Sequence, residues 1–204
     1  MPTLIFLPGA SGNTAFWNPL IHLLPDCTDK QVIAYPDFGD EPSQPSVFDF
    51  ASLSEYVLQQ IQSECILIAQ SMGGIFAVQA ALARPDFVKG LVLCATSGGI
   101  DLSAFQVEDW RSAYQQQYLH YPDWFVSAQL DLSPQLEKIS MPVLLLWGDQ
   151  DPISPVAVGQ ALQHQLPQSE LHLIRGGDHA FAEHYAEDVA VQIQKYLTQF
   201  NGLV

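Results

Sequence analysis

Cys65-Ile66-Leu67-Ile68-Ala69-Gln70-Ser71-Met72-Gly73-Gly74, continued by Ile75-Phe76-Ala77-Val78-Gln79-Ala80-Ala81-Leu82-Ala83, is the stretch whose reading decides the fold. An apolar run rich in branched residues stops at Ala69, and apolar residues at helical spacing begin after Gly73-Gly74, so the segment reads as strand, sharp turn, helix. Ser71 stands on the turn. Ala69 lies two residues before it, Gly73 two after it and Gly74 three after it. A strained strand-to-helix turn needs small residues at those offsets, because larger side chains collide where the two elements converge. The following helix also aims its N-terminal N–H groups at the turn, which suits an oxyanion. Ser71 is therefore a candidate nucleophile. The alternative on the same residues is a serine that merely caps the helix.

Outward from this segment the same alternation repeats. Residues 3–7 form a short apolar run ended by Pro8-Gly9-Ala10-Ser11-Gly12-Asn13, a loop dense in turn formers. Phe16, Trp17, Leu20, Leu23 and Leu24 repeat at helical spacing up to Pro25. Residues 32–35 read as a second strand, closed by the turn Pro36-Asp37-Phe38-Gly39-Asp40, whose Phe38 is a candidate to border a pocket. Phe50, Leu53, Val57, Leu58 and Ile61 share one helix face. Beyond the central segment, strands are expected at 91–95, 143–147 and 171–174, with helices at 156–166 and 183–200. Near-continuous apolar strands alternating with helices predict an α/β fold: a doubly wound, mainly parallel sheet of about six strands covered by helices on both faces.

One segment breaks the rhythm. Residues 97–141, between the fourth and fifth strands, exceed a usual crossover and carry Phe105, Trp110, Tyr114, Tyr118, Tyr121, Trp124 and Phe125. Trp110, Tyr114, Tyr118 and Tyr121 fall three or four apart, which predicts one aromatic helix face. These rings are expected both to pack the insertion onto the core and to line an apolar pocket.

A chain of 204 residues with 48% hydrophobic content forms one domain, 1–204, with 97–141 inserted in it. Seven Lys+Arg against 22 Asp+Glu give a net charge of −15 without a basic cluster. Such a field repels nucleic-acid phosphates and anionic membrane surfaces, and weighs against polyanionic substrates; neutral small molecules fit better. Cys27, Cys65 and Cys94 are odd in number, and Cys65 and Cys94 sit in apolar runs, as small buried hydrophobes do. A reduced, cytoplasmic setting is expected, since the first residues lack the pattern of a signal peptide and no apolar run reaches membrane-spanning length. No His or Cys pair has ligand spacing with a third ligand nearby, so no metal and no cofactor is expected.

In an open parallel sheet, ligands bind beyond the carboxyl ends of the strands. Those ends carry Pro8-Gly9-Ala10-Ser11-Gly12 after the first strand, Ser71 after the third, Gly148-Asp149-Gln150-Asp151-Pro152 after the fifth and Gly176-Gly177-Asp178-His179 after the sixth. A serine hydroxyl is a weak nucleophile at neutral pH and needs an imidazole to take its proton. The imidazole in turn needs a carboxylate to fix its tautomer.

With Ser, Asp and His in that chain order, the sequence resembles the α/β-hydrolase superfamily over nearly its whole length. The matching pieces are Ala69-Gln70-Ser71-Met72-Gly73-Gly74 for the nucleophile elbow, Trp147-Gly148-Asp149-Gln150-Asp151-Pro152 for the acid loop and Gly177-Asp178-His179 for the base. Residues 97–141 fall where that family places its lid. The resemblance implies that Ser71 attacks an acyl carbon, that His179 acts as general base and then acid, and that Asp151 orients His179. It also implies an oxyanion hole formed by the N–H groups of Met72 and Ala10. Ala69 stands where the family usually has Gly, Gln70 replaces the frequent His beside the nucleophile and is not expected to be essential to the triad, and Pro8-Gly9 replaces the usual His-Gly, removing that histidine's brace. The antiparallel strands that often precede the first loop are expected to be missing.

Asp149 competes with Asp151 for the acid role, and the family pattern favours Asp151, the residue before Pro152, with Asp149 stabilising the loop. Asp178 is expected to brace its turn or face solvent. His184, His172, His22 and His164 read as surface or structural residues, while His120 on the lid is placed to reach a substrate. Trp110, Tyr114, Tyr118 and Trp124 are the candidate substrate-binding residues. The implied activity is a serine hydrolase cleaving a small neutral, partly apolar ester or related acyl compound through an acyl-enzyme intermediate. The alternatives are a C–C bond hydrolase or lyase on the same triad, and a non-catalytic small-molecule binding protein or receptor on this fold.

Overall fold

The computed structural model describes residues 1–200 apart from Cys27 and Gln129. Its six strands, β1 (Thr3–Leu7), β2 (Lys30–Val32), β3 (Cys65–Gln70), β4 (Val88–Cys94), β5 (Val143–Gly148) and β6 (Ser169–Ile174), form one sheet in the order β2-β1-β3-β4-β5-β6. Every neighbouring pair is parallel. Alternate residues of a strand point to opposite faces, and here both sets are apolar. Ile5, Leu7, Leu67, Leu93, Leu145 and Trp147 pack under α2 (Phe50–Gln60), α3 (Met72–Ala83) and α6 (Val156–Gln165). Leu4, Phe6, Ile68, Val92, Leu144 and Leu146 pack under α1 (Asn18–Leu23) and α8 (Ala186–Leu197). Burial on both faces is why the central strands read as unbroken apolar runs.

The edge strand departs from its expected place. Pairing of β2 with β1 runs from Leu4↔Lys30 to Phe6↔Val32, earlier than the apolar run at 32–35. Ile33 and Tyr35 are buried, but they follow the strand as the chain drops off the sheet toward the turn at Asp37, where φ is 70°. An edge strand needs no apolar run of its own, so the hydrophobic signal marked the exit from the sheet and not its ladder. The start of α2 is fixed by a capping box in which Asp49 Oδ1 accepts from Ser52 N at 2.7 Å and Ser52 Oγ accepts from Asp49 N at 3.0 Å.

The segment expected as one closing helix is interrupted at Tyr185, giving α7 (Phe181–His184) and then α8. The Tyr185 hydroxyl donates to Gly176 O at 3.1 Å, so the break ties the helix to the loop after β6. Between β4 and β5 lie the short helices α4 (Arg111–Gln117) and α5 (Trp124–Ser127) and a 3-10 turn at Ser133–Lys138. The aromatic face expected to run to Tyr121 is helical only to Gln117, with Tyr118 at the C-cap. Pro122 disfavours helical geometry at the residue before it, which stops any continuation. Among the described residues no helix is long and apolar enough to cross a membrane.

Candidate active site

The chain leaves β3 at Gln70 and enters α3 at Met72, with Ser71 between them at φ 52° and ψ −120°. For a residue other than glycine, such a backbone costs about 1–3 kcal/mol and persists only where the surroundings hold it. Ser71 N donates to Cys94 O at 3.0 Å, and Ser71 O accepts from Gly74 N at 3.0 Å and from the Thr96 hydroxyl at 2.5 Å. The Ser71 side chain makes no capping bond to the helix, so capping does not account for it. The glycines of the turn answer to close approach. A Cβ on Gly73 would lie 2.5 Å from both Leu7 O and Pro8 O, and one on Gly74 would run into the Thr96 side chain.

On the next strands the loops after β5 and β6 are laced together. Gln150 N donates to Gly177 O at 2.9 Å and Asp149 N to Ile174 O at 3.2 Å. Gly148 is pressed so closely on Gly177 that a side chain there would overlap its carbonyl. This stitching carries Asp151 and His179 toward each other, with His179 Nδ1 2.8 Å from Asp151 Oδ2. Asp151 is 5% exposed, and its other oxygen accepts from Ile153 N at 2.8 Å and Ser154 N at 3.0 Å. A buried carboxylate so supplied with donors is held in one orientation. Asp149 points elsewhere, accepting from Gly176 N at 2.7 Å, which is the loop-stabilising role. Asp178 braces its own turn by accepting from Ala180 N at 2.9 Å and lies 3.5 Å from His184 Nδ1.

Ser71 and His179 both line a cavity of about 1050 Å³ at the carboxyl ends of the strands. Gly9 and Ala10 line it too, and a Cβ on Gly9 would lie 3.3 Å from Ser71 Cβ, so the first loop sits directly against the serine. Met72 opens α3, where N–H groups have no acceptor within their own helix. An oxygen lodged between the first loop and the start of α3 would therefore face backbone donors.

The segment between β4 and β5, expected as a lid, brings rings to the cavity lining. Trp110, Tyr114, Tyr118 and Phe125 line the cavity. Trp124 does not; its ring stands 6.3 Å from that of Phe38, away from the cavity lining. Successive residues of a helix point about 100° apart, and on the single turn of α5 it is Phe125 that turns to the cavity. Phe38 itself is buried behind the lining and borders the lid, not the pocket. The rings form a closed circuit. Phe76 meets Phe50, Phe50 meets Phe125, Phe125 meets Trp110, and Tyr114, Tyr118 and Tyr121 lead back through Phe38 and Tyr35 to Phe76. The lid is thus fastened to the core at Phe50 and at Phe38.

His120 is exposed and outside the cavity lining. His172 pairs with Glu170 at 2.8 Å, and His22 Nδ1 lies 2.6 Å from Asn18 O. Gln70 is the residue that sequence reasoning undervalued. It is 7% exposed, lines the cavity, and donates from Nε2 to His179 O at 3.2 Å, joining the serine turn to the histidine loop. Its place next to Ser71 at the last position of the strand was the available signal. Asn13, Phe16 and Glu183, also in the lining, carry no sequence signal that sets them apart.

A model of the Alpha/beta hydrolase family matches residues 4–192. The chain belongs to the α/β hydrolase family, and it is a hydrolase of that fold. It is 25% identical to the "Uncharacterized hydrolase YugF" of Bacillus subtilis, over 96% of this chain and 89% of that protein. With the pimeloyl-[acyl-carrier protein] methyl ester esterase of Vibrio campbellii it shares 24% identity over 96% of this chain and 94% of that one. Among solved structures, an esterase from Thermogutta terrifontis superposes with a TM-score of 0.80 at 18% identity, over 98% of this chain and 90% of the other.

Proposed function

We propose that this hydrolase is a serine esterase, cleaving a small neutral, partly apolar ester through Ser71, His179 and Asp151. The observation that carries the reading is the 2.8 Å pairing of His179 Nδ1 with buried Asp151, in a cavity shared with a serine whose backbone is held at φ 52°. Ser71 Oγ adds to the ester carbonyl as His179 Nε2 takes its proton. The N–H groups of Met72 and Ala10 hold the oxyanion. Collapse expels the alcohol, which leaves with the proton from His179, and the acyl group stays on Ser71. Water then attacks the acyl-enzyme by the same sequence, giving the free acid and restoring the serine. Asp151 remains ionised throughout and keeps the imidazole in the useful tautomer.

The lining supports this substrate class. Trp110, Phe125, Phe50, Ile75 and Ile100 offer apolar surface, while Asp101, Glu108, Asp109, Asp131 and Glu183 surround it with Arg111 as their counterweight. That balance favours neutral over polyanionic substrates, and the ester-cleaving relative supports the bond type. We further propose a small-molecule substrate without nucleic-acid or membrane partners, and a reducing cytoplasmic setting, which the free thiols of buried Cys65 and Cys94 support. The test is turnover of p-nitrophenyl esters of graded chain length by the wild-type protein and Ser71→Ala, with fluorophosphonate labelling mapped by mass spectrometry. The expected result is label on Ser71 and loss of turnover in Ser71→Ala. Equal rates in the two proteins would remove Ser71 from the reaction.

A further inference from the structure

The first loop lacks the histidine brace usual in its family, since Pro8 stands in its place, yet its first three carbonyls are held. Pro8 O accepts from the Tyr35 hydroxyl at 2.9 Å, Gly9 O accepts from Gly12 N at 3.0 Å, and Ala10 O accepts from the Tyr114 hydroxyl at 2.9 Å. The first two donors belong to the core side and to the loop itself. The third comes from α4, in the lid. The peptide that carries the Ala10 N–H therefore lies between two neighbours, each anchored by a tyrosine.

We propose that Tyr114 is a positioning residue for the oxyanion hole, its hydroxyl fixing the Ala10 carbonyl so that the Ala10 N–H points at the developing oxyanion only while the lid is seated. The inference rests on Ser71 being the acyl acceptor. Tyr114 is 7% exposed, and its hydroxyl proton is shared between Ala10 O and Pro122 O, the latter at 3.0 Å. It thus pins the loop to the chain that links α4 and α5. Burial pushes the Tyr114 pKa up, with Tyr118 and Asp123 adding to the effect, so the hydroxyl stays a donor at working pH. The lid that carries it is itself tied down, because Glu108 N donates to Pro152 O at 2.8 Å in the acid loop. One lid segment therefore touches both the loop that would hold the oxyanion and the loop that holds Asp151.

Tyr114→Phe keeps the ring that lines the cavity and removes only the hydroxyl. A donor aimed at the oxyanion acts in the transition state, so losing its aim lowers kcat and spares KM. The experiment compares the wild type, Tyr114→Phe and Tyr196→Phe on one p-nitrophenyl ester, alongside inhibition by a trifluoromethyl ketone, which forms a tetrahedral adduct with the serine. Tyr196 donates to Pro142 O at 2.8 Å, a bond of the same kind far from the cavity. For Tyr114→Phe the expected result is a fall in kcat of about tenfold, KM within about twofold, and a matching loss of ketone affinity. Tyr196→Phe should keep wild-type kcat whatever it does to the melting temperature. Unchanged kcat in Tyr114→Phe, a rise in KM alone, or an equal fall in Tyr196→Phe would overturn the inference. Ser71→Ala, assayed in parallel, separates the two readings. If it stays active, the esterase reading and this inference fall together; if it is dead while Tyr114→Phe behaves as wild type, only the inference falls.

Discussion

Thr96 holds the strained serine from below, and its replacement by valine isolates that role. The hydroxyl donates to Ser71 O at 2.5 Å and accepts from Gly98 N at 3.0 Å. Valine has nearly the same shape, so the cavity term is small and the loss falls on these two bonds. Each contributes roughly 1 kcal/mol, and the buried Gly98 N–H left without this partner raises the total to about 3 kcal/mol. For a chain of this size that lowers Tm by about 9 °C. A methyl group needs roughly 3.3 Å from a carbonyl oxygen, so the Ser71 carbonyl must retreat by ~0.8 Å from a partner now at 2.5 Å. A displacement of that size at the proposed nucleophile should cost up to about 10²-fold in kcat. Thr96→Ser is the control, because it keeps the hydroxyl and loses one buried methyl, about 1 kcal/mol and ~3 °C, with kcat near wild type. Differential scanning calorimetry and steady-state esterase kinetics on the three proteins read both effects. Wild-type kcat in Thr96→Val, or an equal loss in Thr96→Ser, would refute the view that this hydroxyl holds the serine in place.

The two acids of the β5 loop should separate cleanly. Asp151→Asn keeps an acceptor for Ile153 N and Ser154 N but no longer fixes the imidazole, so kcat should fall by about 10⁴-fold with little change in Tm. Asp149→Asn, weakening the bond from Gly176 N, should lower Tm by ~3 °C and leave kcat within about threefold; a reversal of the two phenotypes would exchange their roles. Burial pushes the Cys65 thiol up to about 12 and the Cys94 thiol further still. Both are therefore protonated at pH 8, and peptide mapping after iodoacetamide at that pH should find neither alkylated until the protein is unfolded.

Much of this molecule was legible in its sequence because the decisive signals are local. The apolar run ending at Ala69, the small residues after Ser71 and the order of Asp151 and His179 each depend on a few neighbouring side chains, and the parallel sheet follows from apolar runs that must be covered on both faces. The lid was harder to read. Trp110, Tyr114 and Tyr118 line the cavity, but α4 spans only Arg111–Gln117, short of the expected face, and Phe125 rather than Trp124 is in the lining because a one-turn helix has no periodicity to reveal which side is inward. Edge strand β2 was displaced for a related reason: Ile33 and Tyr35 are apolar because they leave the sheet into the core. The partners of Gln70 and Thr96, the His179 and Ser71 carbonyls, leave no mark in the sequence, since they are backbone brought near only by the fold.

The ring of carboxylates around the cavity has a kinetic meaning. Ester cleavage turns an uncharged molecule into an acid that ionises at neutral pH, so substrate and product differ by one negative charge at the same mouth. Asp101, Glu108, Asp109, Asp131 and Glu183, outweighing Arg111 in the lining, would be indifferent to a neutral ester and would repel its acid. On the proposed neutral ester this charge difference would favour release of the product over its rebinding, an effect that would weaken as salt shortens the reach of those charges below the roughly 8 Å of physiological solution.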